Sequence, residues 1–118
     1  HRLTANREIY LKDLRNEEFV FHRREVASKY FDELVRICEN IGGFTPRIRH
    51  EVQSSSRQMA YVSCGQGIAM LGESFKDWIP KNIVARPIVD APAEIQLSLV
   101  WNPLIQSALR DQVLEKLR

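Results

Sequence analysis

The sequence predicts an α/β domain: a largely parallel sheet with helices on both faces. Three observations carry that expectation. Short apolar runs alternate with stretches of helical periodicity. The periodic stretches end at cap and stop residues. The runs at 19–21 and 67–71 have no polar side, as strands buried on both faces require.

Residues 1–18 are polar and charge-rich, with Leu11-Lys12-Asp13-Leu14 as one short helical turn. Phe19-Val20-Phe21 is the first buried strand. Phe31, Leu34, Val35, Cys38 and Ile41 then recur at three- and four-residue steps and share one helix face, opposite Lys29, Asp32, Glu33, Arg36 and Glu39. Gly42-Gly43 stops that helix, because glycine takes the left-handed conformation at little steric cost, and Pro46 reinforces the stop. Residues 47–52 alternate, with Ile48, His50 and Val52 on one side and Arg47, Arg49 and Glu51 on the other. Ser54-Ser55-Ser56 supplies N-cap candidates, and Ser55 with Gln58 fits a capping box. A short helix over Met59, Ala60, Val62, Ser63 and Cys64 ends at Gly65, and 67–71 is the next buried strand.

Further on, a short helix near Phe75–Trp78, a break at Pro80 and a strand across 83–88 are expected. Residues 94–101 read as a strand in which Ile95, Leu97, Leu99 and Trp101 alternate with Glu94, Gln96 and Ser98. Asn102 as N-cap and Pro103 at the first helical position then open a helix with Ile105, Leu109, Val113 and Leu117 as its buried stripe. Strands alternating with helices put the helix starts at the carboxyl edge of the sheet, where open sheets of this kind bind ligands.

Composition narrows the function classes. A chain of 118 residues with 44% hydrophobic residues can bury a core without disulfides or metal. With 17 Lys+Arg against 15 Asp+Glu, the net charge of +2 gives no electrostatic case for nucleic-acid binding. Two cysteines without a CxxC spacing provide neither a disulfide framework nor a cysteine zinc site, and both are expected to be buried, inert thiols. No apolar run approaches a membrane span, and the polar start reads against a secretory signal. A cytoplasmic location is expected. No GxSxG, HExxH or Walker pattern is present, no Ser/His spacing nominates a triad, and Gly65-Gln66-Gly67 follows a helix where a phosphate-cradling loop would precede one. The expectation is a protein that is not an enzyme and uses no cofactor or metal.

Two helix starts face the candidate ligand edge. In the first, from Phe21 to Tyr30, Arg23 and Arg24 could fork onto a carboxylate beside free backbone N–H groups; equally, they could be solvated loop charges. In the second, Gln53-Ser54-Ser55-Ser56, the hydroxyls could hold a ligand, although an N-cap accounts for one of them without any ligand. His22 could donate to a ligand. His50, on the apolar side of its strand, reads as structural.

The chain resembles the effector-binding region of LysR-type transcriptional regulators. His1-Arg2-Leu3 is similar to the family's HPL segment, and Leu11-Lys12-Asp13-Leu14 with Glu18-Phe19-Val20 to its "L-x-DL…EPF-V/I" segment. Val26-Ala27 through Tyr30-Phe31-Asp32 resembles "VAPGLYD", Gly43-Phe44-Thr45-Pro46 resembles "GF-x-P", and Glu51-Val52-Gln53 resembles the strand before the second helix. Residues 62–71 resemble "VAAGxGVALLP", and Trp101 before an amphipathic helix is the usual ending. The order and spacing of these segments are more specific than any one of them.

The resemblance implies a type 2 periplasmic-binding-protein-like fold. Residues 1–93 would be the second lobe of the sensor, and 94–118 a returning strand and helix belonging to a first lobe that is mostly absent. It implies a small effector held between lobes, a homo-oligomer, and DNA contact only through a winged helix-turn-helix outside this chain. Carried over by position, the effector contacts are Arg23, Arg24, Ser28, Lys29, Tyr30, Ser54 and Ser55. Arg23 stands where the family commonly has proline, which hints at an acidic effector, a carboxylate. Gly72 replaces the usual proline after the buried strand, and Gly42-Gly43 carries one residue more than the common pattern. The rival readings are a solute-binding protein of a transport system and, less supported, an enzyme on a related two-lobed scaffold. With the first lobe absent, Ile105, Leu109 and Leu117 would be exposed, so self-association is expected.

Overall fold

The computed structural model describes residues 8–104, apart from the side chains of Glu73, Ser74 and Lys76. The helix expected from Pro103 onward, its apolar stripe and the His1-Arg2-Leu3 segment therefore lie outside the described residues. Among the described residues, five strands and two α-helices follow in order: β1 (Glu18–His22), α1 (Ser28–Ile37), β2 (Arg47–Val52), α2 (Ser55–Ser63), β3 (Ala69–Gly72), β4 (Val84–Pro87) and β5 (Leu97–Trp101). Short 3-10 turns occupy Leu11–Leu14 and Glu73–Trp78.

β1 and β2 pair in parallel. A parallel bridge from Phe19 to Ile68 joins β1 to the start of β3, through Val20 N–H to Ile68 O (2.8 Å) and Ile68 N–H to Glu18 O (2.9 Å). β5 lies between β3 and β4 and is antiparallel to both. The strands thus run β2-β1-β3-β5-β4, and the sheet is mixed where a largely parallel one was expected. The cause is the connection from β4 to β5. It is short and holds no helix, whereas a parallel return needs a crossover of about a dozen residues or more. β5 is also the best-buried strand, with all five residues inside. The strand portion of 94–118 is therefore built into the centre of this sheet, and the expected division at 93/94 does not separate it from the lobe.

The sheet side chains sort by the two-residue strand period. Phe19, Phe21, Met70, Leu97, Leu99 and Trp101 face α1, packing with Leu34, Ile37 and Cys38. Val20, Ala69, Leu71 and Val100 face α2, packing with Met59 and Val62. Helices cover opposite faces, as expected. Phe19 and Phe21 meet edge to face, and Phe21 meets Phe31 the same way. Leu11 N–H donates to Asp90 Oδ1 (2.9 Å) and Val89 N–H to Ile9 O (2.9 Å), fastening the N-terminal segment beside the exit of β4.

Several local expectations shift. After Ile37 the helix widens into a π turn over Cys38–Gly42, ended by Gly43 at φ +73. The wider turn carries Ile41 off the buried face, and it is exposed. Cys38 is buried, and burial pushes its thiol up to about 12. Cys64 sits at the C-cap of α2, past the buried stripe, and is exposed where a buried thiol was expected. The last strand starts only at Leu97, because Ile95 and Gln96 N–H groups both turn back to Pro92 O. At Gly67, φ is +153, and a Cβ would lie 3.0 Å from Glu18 O. Glycine there lets the chain pass tightly against β1.

Candidate functional site

Because β1, β2 and β3 run the same way, His22, Val52 and Gly72 end at one edge, and both helices begin there. The start of α2 is tightly built. Ser54 is extended (φ −146, ψ 158) and its Oγ accepts from Arg57 N–H at 3.2 Å, so the cap is Ser54 and not the Ser55/Gln58 box. Gln58 instead turns inward, and its Nε2 donates to Val20 O at 2.8 Å, pinning the helix across β1. Ser55, freed from capping, points its Oγ at His22 Nε2, 3.3 Å away. Burial lowers the pKa of His22, favouring the neutral ring.

The start of α1 differs. Ala27 occupies the N-cap position without a side-chain hydrogen bond. Arg23 N–H donates to Val52 O (2.7 Å), and Val26 and Ala27 N–H turn back to Arg23 O. Arg24 forks onto Asp32 with two bonds of 2.9 Å, which raises the arginine's pKa and holds the Asp32 carboxyl below its usual range. Arg23 lies 3.7 Å from Glu25.

A cavity of about 420 Å³ opens between the two helix starts, lined by His22, Val26, Ala27, Tyr30, Gln53, Ser54, Ser55, Leu71 and Phe75. Tyr30, Ser54 and Ser55 of the expected contacts converge here. The hydroxyl of Tyr30 takes a hydrogen bond from the Gly72 backbone, and burial nonetheless leaves its pKa raised. Arg23 lines a separate cavity of about 270 Å³ with Glu51, Val52, Gln53, Arg57 and Tyr61. Arg24, Ser28 and Lys29 are exposed and line none of these cavities. A third cavity of about 560 Å³ adjoins the first, sharing Ser55, Leu71 and Phe75. His50 is structural in the way its strand position implies: its Nε2 is 3.2 Å from Gln66 Oε1 and its ring stacks on Tyr61.

Sequence reasoning placed Gln53 in the segment without giving it a role, and passed over Leu71 and Phe75. The signal for Leu71 and Phe75 was available, since the carboxyl end of a third parallel strand must meet the same edge. Among the described residues no group of three His, Cys, Asp or Glu side chains is placed to hold a metal, and no helix is long and apolar enough to cross a membrane.

The description of the LysR substrate binding domain matches residues 1–118. The chain belongs to this family. Among curated proteins, the LysR-domain chain is 30% identical over 101 residues to YnfL, an uncharacterized HTH-type transcriptional regulator of Escherichia coli (strain K12), covering 86% of this chain and 34% of that protein. It is 26% identical over 115 residues to the HTH-type transcriptional regulator ShiR of Corynebacterium glutamicum (strain R), covering 98% and 39%. It is 27% identical over 115 residues to the HTH-type transcriptional regulator AlsR of Bacillus subtilis (strain 168), covering 90% and 36%. The LysR-domain chain thus spans between a third and two-fifths of the length of these relatives.

Proposed function

We propose that this LysR substrate-binding domain is the ligand-sensing lobe, of the type 2 periplasmic-binding-protein kind, of a cytoplasmic transcriptional regulator. A small anionic effector, a carboxylate, binds between this lobe and a second one and shifts the arrangement of a homo-oligomer on DNA. DNA contact belongs to a winged helix-turn-helix outside this chain, as does the helix-bearing remainder of the first lobe. The domain performs no catalysis. The effector acts only through the difference in its affinity for the two arrangements.

One observation carries this reading: Tyr30, Ser54 and Ser55 converge with His22 on a single cavity at the carboxyl edge. The start of α2 adds backbone N–H groups and a positive helix end, which favour an anion. The regulator relatives favour sensing over solute transport. The test is a thermal-shift screen of the full regulator with a panel of small carboxylates. At least one should raise the melting temperature by about 3 °C or more, and Ser55→Ala and Tyr30→Phe should each remove most of that rise. Stabilising ligands indifferent to both substitutions would sink the assignment of the site.

A further inference from the structure

The cavity at the helix starts adjoins the larger one, with which it shares Ser55, Leu71 and Phe75. Both parts of this groove expose mainly apolar surface, and they differ in which polar side chains stand at their walls. At one end stand the polar groups of His22, Tyr30, Gln53, Ser54 and Ser55. Beyond Leu71 and Phe75 the walls are Met59, Ala60, Trp78, Ile79 and Pro80, with Ser56 and Ser63 as the polar exceptions. Among the described residues, no Asp, Glu, Lys or Arg lines either part.

This arrangement bears on how an anion would be held. Arg24 is engaged by Asp32 along one edge of its guanidinium, through Nε and Nη2, and lines neither part of the groove, while Arg23 lines a different cavity. Among the described residues of the groove, the hydroxyl donors for a charged head are neutral ones, those of Tyr30, Ser54 and Ser55. A small, doubly charged acid would satisfy those donors with one end and press its second charge against an apolar wall, at a desolvation cost. An apolar body would instead cover Phe75, which is half exposed, and Trp78, which is 81% exposed. A large exposed aromatic beside a groove is surface that gains by being covered.

We propose that the ligand of this groove is an amphipathic monocarboxylate, its head among Tyr30, Ser54 and Ser55 and its hydrocarbon body along Leu71, Phe75 and Trp78. The proposal rests on the effector-site reading above and specifies the chemical class of the effector. It replaces the expectation of an arginine-paired acid with a site in which the body of the ligand supplies the affinity and the hydroxyls fix its direction.

The homologous series butanoate, hexanoate and octanoate tests it, titrated into the ²H,¹⁵N-labelled full regulator, with succinate and 1-hexanol as comparators. Affinity should rise about threefold per added methylene, somewhat below the full-burial value because the groove is open. Amide shifts should appear at Ser54 and Ser55 with every acid, and at the Trp78 indole from hexanoate upward. Ser55→Ala should weaken hexanoate about fivefold or more, and Trp78→Ser should flatten the chain-length dependence. Trp78 is on the surface, so its replacement spares the core, and Trp101, at 1% exposure, serves as the unmoved internal reference. A flat series with shifts still at Ser54 and Ser55, or succinate matching hexanoate, overturns the amphipathic class and leaves the site standing. So does a site in which Arg23→Gln abolishes binding while chain length has no effect. Absence of saturable shifts at Tyr30, Ser54 and Ser55 with all five compounds removes both the class and the site.

Discussion

The starts of α1 and α2 occupy equivalent places, each following a parallel strand at the same edge of the sheet, and they are built in opposite ways. At α2 the backbone is satisfied from within: Ser54 caps Arg57 N–H, and Gln58 reaches through to Val20 O. Its next side chain, Ser55, is left to face His22 and the cavity. At α1 the cap is an alanine, Arg24 is paired with Asp32 through one edge of its guanidinium, and Arg23 lies 3.7 Å from Glu25. Position at a ligand-binding edge is thus not enough. A group becomes available to a ligand when some other group has already met the local structural demand.

The comparison can be broken at four points. Gln58→Ala should have the largest effect. It strands the buried Val20 carbonyl and empties volume beneath α2, for a loss of about 2 kcal/mol in urea unfolding. Part of the cost is offset, since Gln58 Oε1 is itself buried without a partner. Ser54→Ala comes next. Loss of a side-chain cap costs about 1 kcal/mol, and a change in unfolding midpoint indistinguishable from zero would mean that α2 is held by its anchors alone.

The third point is pH. Burial lowers the pKa of His22 below the ordinary histidine value of about 6.5, so the unfolded chain takes up the proton first as pH falls. The contribution of this residue to stability is therefore present above about pH 6.5 and is lost as pH drops through the lower folded-state value. The unfolding midpoint should fall from pH 7 to pH 5, and His22→Gln should flatten that decline; an unchanged slope would remove His22 as its source. Arg24→Ala should have the smallest effect. Its pair with Asp32 is exposed, so the stability change should be below that of Ser54→Ala and should fade in about 0.5 M salt. A larger, salt-insensitive loss would show that the start of α1 depends on this pair as α2 depends on its cap.

The same contrast marks what the sequence could reveal. The buried runs at 19–21 and 67–71, the α1 stop at Gly43 and the cap region at 54–56 were legible because periodicity and backbone chemistry are local. The direction of β5 was not. Its alternation suggested one buried face, yet Ser98 is buried too, because the strand is central. Arg24 looked free because its partner stands eight residues away, across the first turns of the helix. Ser55 looked like a cap because the sequence holds three adjacent serines, and only the fold decides which one turns inward. Location of the site was readable from the chain; the engagement of each side chain depended on neighbours that folding brings together.

The central place of β5 has a consequence during synthesis. Among the described residues, β4 pairs with β5, with a bridge from Ile9 to Ile88 just past its end, and β3 has β5 as its other neighbour. Until residues 97–101 have left the ribosome, the emerging chain carries β3 with an open edge and β4 without the pairing to β5. Such edges are templates for pairing with other chains. Chains truncated between β4 and β5, or paused before residues 97–101 clear the exit tunnel, should therefore be the ones that aggregate or recruit chaperones, while a pause after those residues have cleared it should be harmless to the sheet.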